Sequence, residues 1–284
     1  MQELNYREIS LSDWTPSGAG ATATSYNHKE NQELMLKLFN VGISNSGYAE
    51  KEFDLSRKVE ALGLRTPRAI EIVKAGKCTG VIYQRIVRKK STSRSCADNP
   101  EDIDKYARIF AEECKNLHSI SCSPSDFSSR KAQALKDVAE HKGYSRHTKE
   151  VIAAAINRLG DHTTCLHGDM QPGNLLIADG STYWIDLGFF SWGHPMFDIA
   201  CLYFFCKHPI GLFWGTKLCH MTRRQMKHFW ESFASAYSNN PEELTSTAKD
   251  NVLVYLAYTI GLENYEGITA AVFDAYINAI CLRR

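Results

Sequence analysis

The sequence predicts an α+β chain. A small antiparallel sheet with one helix occupies residues 1–85, and a larger, mainly helical part over residues 86–284 carries a single hairpin. Three observations predict it. Glu33-Leu34-Met35-Leu36-Lys37-Leu38-Phe39 alternates as a strand, with Met35, Lys37 and Phe39 on one face and Leu36 and Leu38 on the other. From Asp102 onward the pattern is helical. Within that half, the short apolar runs Asn174–Ile177 and Thr182–Ile185 flank Asp179-Gly180, a dipeptide suited to a tight hairpin turn.

Composition agrees with a folded chain. The 284 residues are 44% hydrophobic and 23% charged, which excludes disordered, fibrous and collagen-like classes. The 33 basic residues stand against 32 acidic ones, a net charge of +1, so no nucleic-acid partner is expected. No membrane partner is expected either. The richest apolar stretch, Ile199–Cys206, is too short to span a bilayer, and Lys207, His208 and Pro209 follow it at once. The N-terminus has neither a basic n-region nor an apolar h-region. The 9 cysteines are scattered without a Cys-x-x-Cys pair, which predicts free thiols in a reducing cytoplasm. The tightest cluster, Cys201, Cys206 and His208, reads as buried packing rather than a metal site.

Along the chain, Ser17–Thr24 is small and Gly-rich, with Gly18 and Gly20 placed between strands. A helix follows over Tyr48–Leu62 and stops at Gly63. Pro67 marks a turn, and Thr79–Val87 reads as a strand. Next come a basic polar stretch, Arg88–Arg94, and helices over Asp102–His118 and Thr148–Leu159. Ser121–Arg146 is polar and without clear periodicity. The helix that begins by Ile199 is apolar on every side through Cys206, which predicts burial.

The chemistry gathers around the hairpin. Leu166-His167-Gly168-Asp169-Met170-Gln171-Pro172-Gly173-Asn174 leads into it, and Ile185-Asp186-Leu187-Gly188 leaves it. Asn174 lies 5 residues after Asp169, and Asp186 lies 12 after Asn174. Two carboxylates and an amide at the ends of one hairpin supply oxygen-only ligands, which suit Mg²⁺ together with substrate phosphates. Lys37, in the middle of an apolar strand, needs a reason, the plainest being a charge on an edge strand. Gly18-x-Gly20 lacks a third glycine, because Ala23 stands there, and it leads into a strand rather than a helix, which disfavours a dinucleotide fingerprint.

The His-x-Asp-x-x-x-x-Asn spacing with a later Asp-x-Gly resembles the protein-kinase-like catalytic pattern. With Gly168 where protein kinases carry arginine, it resembles the aminoglycoside phosphotransferase and choline kinase branch of that fold. Leu117-His118 and Gly193-His194-Pro195-Met196-Phe197-Asp198-Ile199-Ala200 resemble further segments of the branch. The likeness covers nearly the whole chain. It implies a two-lobed protein-kinase-like fold, with 1–85 as the nucleotide-binding lobe and 86–284 as the catalytic and acceptor-binding lobe.

The same resemblance implies roles. Asp169 would take or orient the acceptor hydroxyl's proton, and Asn174 and Asp186 would hold Mg²⁺. Lys37 would pair with the α- and β-phosphates of ATP and be fixed by a helix carboxylate. Gly18 and Gly20 would lie over the phosphates, and backbone groups of Gln84 and Ile86 would meet the base edge. His167 would organise the loop, and Asp198 would accept backbone N–H groups from it. Of the two helix glutamates near Lys37, Glu52 shares its face with Leu55, Val59 and Leu62, whereas Glu50 shares one with Asp54 and Arg57, so Glu52 is the expected partner.

The expected activity is therefore ATP-dependent transfer of the γ-phosphoryl group to a hydroxyl of a small molecule, aminoglycoside-, choline-, homoserine- or sugar-like. A non-catalytic nucleotide-binding pseudokinase and a protein kinase are the alternatives. The pseudokinase is disfavoured by the intact set of Lys37, Asp169, Asn174 and Asp186. The protein kinase is disfavoured by the short segment from Asp186 to Ile199, which leaves no room for a peptide platform. Phe189-Phe190-Ser191-Trp192 in that segment is expected to form one wall of a small-molecule pocket. Trp214, Trp230, Tyr255, Tyr258, Glu263 and Glu266 are further candidates near an acceptor, although helix core is the plainer reading of them.

Overall fold

The computed structural model describes residues 6–19, 22–44 and 47–252. Gly20, Tyr255, Tyr258, Glu263 and Glu266 lie outside the described residues. The chain divides into two compact units, Met1–Ser91 with Leu175–Gly188, and Thr92–Asn174 with Phe189–Arg284.

The first unit is built on a six-stranded sheet in the order β1-β5-β6-β4-β3-β2. Its strands are β1 (Arg7–Glu8), β2 (Trp14–Ala19), β3 (Ala23–His28), β4 (Leu34–Phe39), β5 (Ala69–Ala75) and β6 (Cys78–Gln84). All neighbours run antiparallel except the edge pair β1 and β5, which is parallel. A single turn, α1 (Val41–Ser44), precedes the long helix α2 (Tyr48–Ala61).

The alternation in β4 sorts its side chains as its period of two requires. Phe39 and the partly buried Met35 pack with Ala49, Val81 and Tyr83, while Leu36 and Leu38 pack with Trp14, Val73 and Ile82 on the opposite face. β6 ends at Gln84 rather than running on to Val87; its last backbone bonds are Gln84 N–H to the Arg68 carbonyl at 2.9 Å and, just beyond the strand, Arg85 N–H to the Glu33 carbonyl at 2.7 Å.

The hairpin β9 (Leu175–Ala178) and β10 (Ser181–Trp184) belongs to this unit and pairs with β7 (Lys90–Ser91). Asp179 and Gly180 both take positive φ, 47° and 76°, as a two-residue hairpin turn demands.

The second unit is mainly helical: α3 (Thr92–Asp98), α4 (Ile103–Ser119), α5 (Arg130–Glu140), α6 (Arg146–Arg158), α7 (Met196–Lys207), α8 (Pro209–Cys219), α9 (Arg223–Tyr237) and α10 (Pro241–Asp250). A two-stranded ribbon joins β8 (Thr164–Leu166) to β11 (Ser191–Gly193). α4 and α9 pack through Phe110, whose ring meets Phe229 and Phe233 edge-on at 5.6 and 6.0 Å. Every residue of α7 from Met196 to Cys206 is buried, as its all-round apolar sequence requires. Trp230 is core, packed on Tyr203, and Trp214 is exposed.

Two expectations change here. The polar stretch before α6 contains a helix, α5, whose buried face is only Arg130, Ala134 and Val138. In the aromatic run after Asp186, Phe190 is not a pocket wall. It is core against Phe127, ring centroids 5.1 Å apart, and Trp192 is tied by its indole N–H to the Phe127 carbonyl at 2.8 Å. No single helix among the described residues is long and apolar enough to cross a membrane. The described cysteines are free thiols, and the sulfurs of Cys122 and Cys165 lie 2.6 Å apart.

Candidate active site

In the first unit, Lys37 sits on β4, between β3 and β6, so it is not an edge charge. Its ammonium lies 2.9 Å from Glu52 Oε1 and 3.2 Å from Oε2, and 3.3 Å from Asp186 Oδ1. Burial by itself pulls the ammonium down, but the charges of Glu52 and Asp186 outweigh that and raise it above its ordinary value. Lys37 is therefore a fixed cation. Glu52 faces it from α2 and is buried, while Glu50 turns to accept the Tyr6 hydroxyl at 2.7 Å. Asp186 is exposed and adopts φ +57°, a left-handed conformation that few residues other than Gly, Asn and Asp take readily.

Lys37, Glu52, Gln84, Ile86 and Asp186 all line one cavity of about 160 Å³ within this unit, together with Ser25, Tyr83 and Lys89. The Gln84 N–H already donates to the Arg68 carbonyl at 2.9 Å. Gly18 lies on β2 beside a register shift, and the space where a Cβ would stand is open. Of the basic stretch, Lys89 alone lines this cavity; Arg88 pairs with Asp179 at 2.9 Å and Arg94 with Asp98 at 3.0 Å.

In the second unit, β8 delivers His167-Gly168-Asp169. Asp198, fully buried on α7, accepts the His167 N–H on Oδ2 and the Gly168 N–H on Oδ1, both at 2.8 Å. His118 Nε2 sits 3.2 Å from Asp198 Oδ2, and its Nδ1 is 2.8 Å from the Tyr237 hydroxyl. Burial pushes the Asp198 carboxyl up, but the His118 hydrogen bond and charge, His167 and the Gly168 N–H together hold it below the usual carboxylate range.

His167 is buried and its Nδ1 accepts the Asp169 N–H at 3.2 Å, which makes it a loop organiser by geometry. Gly168 has φ +86°, and a Cβ there would stand 2.3 Å from the Phe189 carbonyl oxygen. That contact explains why glycine holds this position. Arg130 of α5 donates to the Gly168 carbonyl at 2.6 Å. The Asn174 amide donates to the Asp169 carboxylate at 2.9 Å and to its main-chain oxygen at 2.8 Å.

Asn174 in the second unit and Asp186 in the first each offer an oxygen donor of the kind Mg²⁺ takes. Because Asn174 Nδ2 faces Asp169, its Oδ1 points elsewhere, with only a 3.4 Å approach from Gln171. Asp186 offers an exposed carboxylate, and both are hard oxygen donors. Tyr83, Arg130 and Tyr237 were not singled out by the sequence, whereas Lys89 belongs to the basic stretch Arg88–Arg94. Only Tyr83 carried a signal, through its position on the strand face that meets α2.

Comparison with known proteins places the chain. The sequence model described as "Phosphotransferase enzyme family" matches residues 13–230. A methylthioribose kinase of Erwinia tasmaniensis is 26% identical over 148 residues, 49% of this chain and 35% of that enzyme's length. Thus the match spans about a third of that relative.

Among solved structures, the ADP-bound aminoglycoside phosphotransferase APH(2'')-Ib superposes with a TM-score of 0.59 at 16% identity, covering 93% of this chain and 91% of that one. An amicoumacin kinase in complex with AMP-PNP, Ca²⁺ and its antibiotic gives 0.57 at 13% identity, over 96% and 88%. A choline/ethanolamine kinase family protein from Mesorhizobium loti gives 0.52 at 12%, over 95% and 87%. These likenesses show the kinase-like fold. With the family model spanning most of its length, the chain belongs to the phosphotransferase enzyme family.

Proposed function

We propose that the protein is a small-molecule kinase that moves the γ-phosphoryl group of ATP onto a hydroxyl of an aminoglycoside-, choline-, homoserine- or sugar-like acceptor. The observation that carries this reading is the Lys37–Glu52–Asp186 ion-pair set lining one cavity. A half-buried lysine held between a buried and an exposed carboxylate is a poor stabilising device, because desolvation and solvent screening offset much of the Coulomb gain. It is a suitable cradle for polyphosphate, whose negative charge the ammonium meets.

In this reading residues 1–85 bind the nucleotide and 86–284 carry catalysis and the acceptor. Lys37, fixed by Glu52, binds the α- and β-phosphates. Gly18 and Gly20 lie over them, and the Gln84 carbonyl and Ile86 N–H meet the base. Asn174 and Asp186 hold Mg²⁺, which when bound neutralises charge on the β- and γ-phosphates. Asp169 accepts the acceptor hydroxyl's proton as the oxygen bonds to the γ-phosphorus and ADP leaves with the bridging oxygen. The Asn174 amide keeps the Asp169 carboxylate oriented for that step.

The methylthioribose kinase likeness and the antibiotic-bound neighbours favour a hydroxyl of a small polar molecule over a protein side chain. A cytoplasmic location suits the free thiols. The test is an acceptor screen coupled to ADP release, run beside labelling with radioactive ATP of a metabolite library and a mixed peptide library. Turnover of a metabolite hydroxyl is expected. Robust peptide labelling without metabolite turnover would refute the assignment.

A further inference from the structure

The Glu52 carboxylate has a second donor that no phosphate-binding role calls for. Tyr83, the penultimate residue of β6, is buried in the cluster between the sheet and α2, and its hydroxyl donates to Glu52 Oε1 at 2.9 Å. Oε1 is also the oxygen nearest the Lys37 ammonium, at 2.9 Å. Thus one oxygen of a buried carboxylate takes the phenol's hydrogen bond and lies closest to the ammonium, while the ammonium's hydrogen bond goes to the other oxygen, Oε2, at 3.2 Å. The Ser56 hydroxyl lies 3.5 Å from the same phenol oxygen, one helical turn from Glu52. Burial and the nearby Glu52 charge drive the Tyr83 phenol well above its ordinary value, so it keeps its proton and acts as donor.

We propose that Tyr83 is a positioning residue for the nucleotide site: its hydroxyl pins the Glu52 carboxylate so that Lys37 stays aimed into the cavity that all three line. The proposal rests on the nucleotide reading of that cavity. The physical need is specific. A Lys–Glu pair alone leaves the carboxylate free to turn about its terminal bond and follow the ammonium, because that torsion is broad. When a polyphosphate draws the ammonium outward, an unpinned carboxylate moves with it or the pair lengthens. A phenol anchored in the core fixes one carboxylate oxygen and thereby the direction in which the ammonium points. Tyrosine suits this, since its ring fills the core while its hydroxyl reaches a polar group at the edge.

The test is Tyr83→Phe, which keeps the ring and removes only the hydroxyl, measured by calorimetric titration with MgADP and by steady-state kinetics on the identified acceptor. Nucleotide affinity is expected to fall about tenfold, the lower end of the range for one hydrogen bond to a charged group. The nucleotide KM should rise in step while the acceptor KM stays unchanged. A merely structural hydrogen bond would lower Tm and leave the affinity of the folded protein untouched. The double variant Tyr83→Phe/Glu52→Gln should bind no more weakly than Glu52→Gln alone, because the phenol acts only through Glu52. Wild-type protein that fails to bind MgADP overturns the nucleotide reading and this proposal with it. Wild-type binding with Tyr83→Phe within twofold of it, or additive losses in the double variant, overturns the role of Tyr83 and leaves the nucleotide reading standing.

Discussion

Asn174 holds Asp169: its side-chain amide donates to the Asp169 carboxylate at 2.9 Å and its partner oxygen is turned away from that contact. One short side chain thus fixes the direction of the proposed base and presents a hard ligand of its own. Asp169→Asn should lower kcat by roughly 10²–10⁴-fold, the range for losing a positioned base, while MgATP binding stays within about twofold of wild type. The measurement is single-turnover kinetics beside calorimetric binding. Near-wild-type turnover on the true acceptor would remove Asp169 from the proposed role.

In the proposed mechanism Asp186 serves the metal and Asp169 the proton, so substitutions at the two should separate those functions. Asp186 sits at φ +57°, which asparagine also tolerates, so Asp186→Asn removes the charge without adding backbone strain. Nucleotide affinity in the presence of Mg²⁺ should fall by about tenfold to a hundredfold. Affinity without the metal should change little, and Tm should hold. Titration of ADP with and without Mg²⁺ reads this out. An unchanged Mg²⁺-dependent increment would mean the metal is held elsewhere.

What the sequence made legible was whatever a period or a spacing encodes. β4, α2 and the β9–β10 hairpin stand where alternation, helical faces and Asp179-Gly180 place them. Glu52 follows from the helix face that also carries Val59, both buried against the sheet. α5 was hidden because its buried face consists of Arg130, Ala134 and Val138, and only one of those is a strong apolar signal. Arg130 itself could not be found from sequence: its value lies in reaching the Gly168 carbonyl 38 residues away. Phe190 shows the other limit. An aromatic residue reads the same in sequence whether it lines a pocket or packs on Phe127 in the core.

Gly168 combines a left-handed backbone with no room for a side chain. Its φ of +86° is strained for any side chain, and a Cβ would stand 2.3 Å from the Phe189 carbonyl oxygen, which is backbone and cannot swing aside. Gly168→Ala should cost about 1–3 kcal/mol from the backbone conformation alone, with displacement of the Phe189 main chain added to it. Turnover should fall more than nucleotide affinity, since Asp169 is the next residue. Urea unfolding and kinetics on the purified variant test this. A variant as stable and active as wild type would show that the loop does not hold this conformation.

Asp198 gives the loop a pH dependence with a definite sign. Its carboxyl accepts two backbone N–H groups and faces His118, and those contacts outweigh burial and hold it below the usual carboxylate range. In the unfolded chain an aspartate titrates near about 3.9. A carboxyl depressed on folding contributes stability that is complete above that value and is lost as pH falls through the folded pKa. Asp198→Asn turns one accepting oxygen into a donor that faces an N–H, and it also leaves His118 without a carboxylate. At pH 7 the loss should be about 3 kcal/mol. Below about pH 4 the wild type begins to lose the charge-dependent part of that contribution, and it goes on losing it as pH falls toward the depressed folded pKa, so the gap between the two proteins should start to narrow. Urea midpoints at pH 7, 5, 4, 3 and 2 measure the gap. A gap that stays constant across that series would mean that Asp198 does not anchor His167 and Gly168 through its charge.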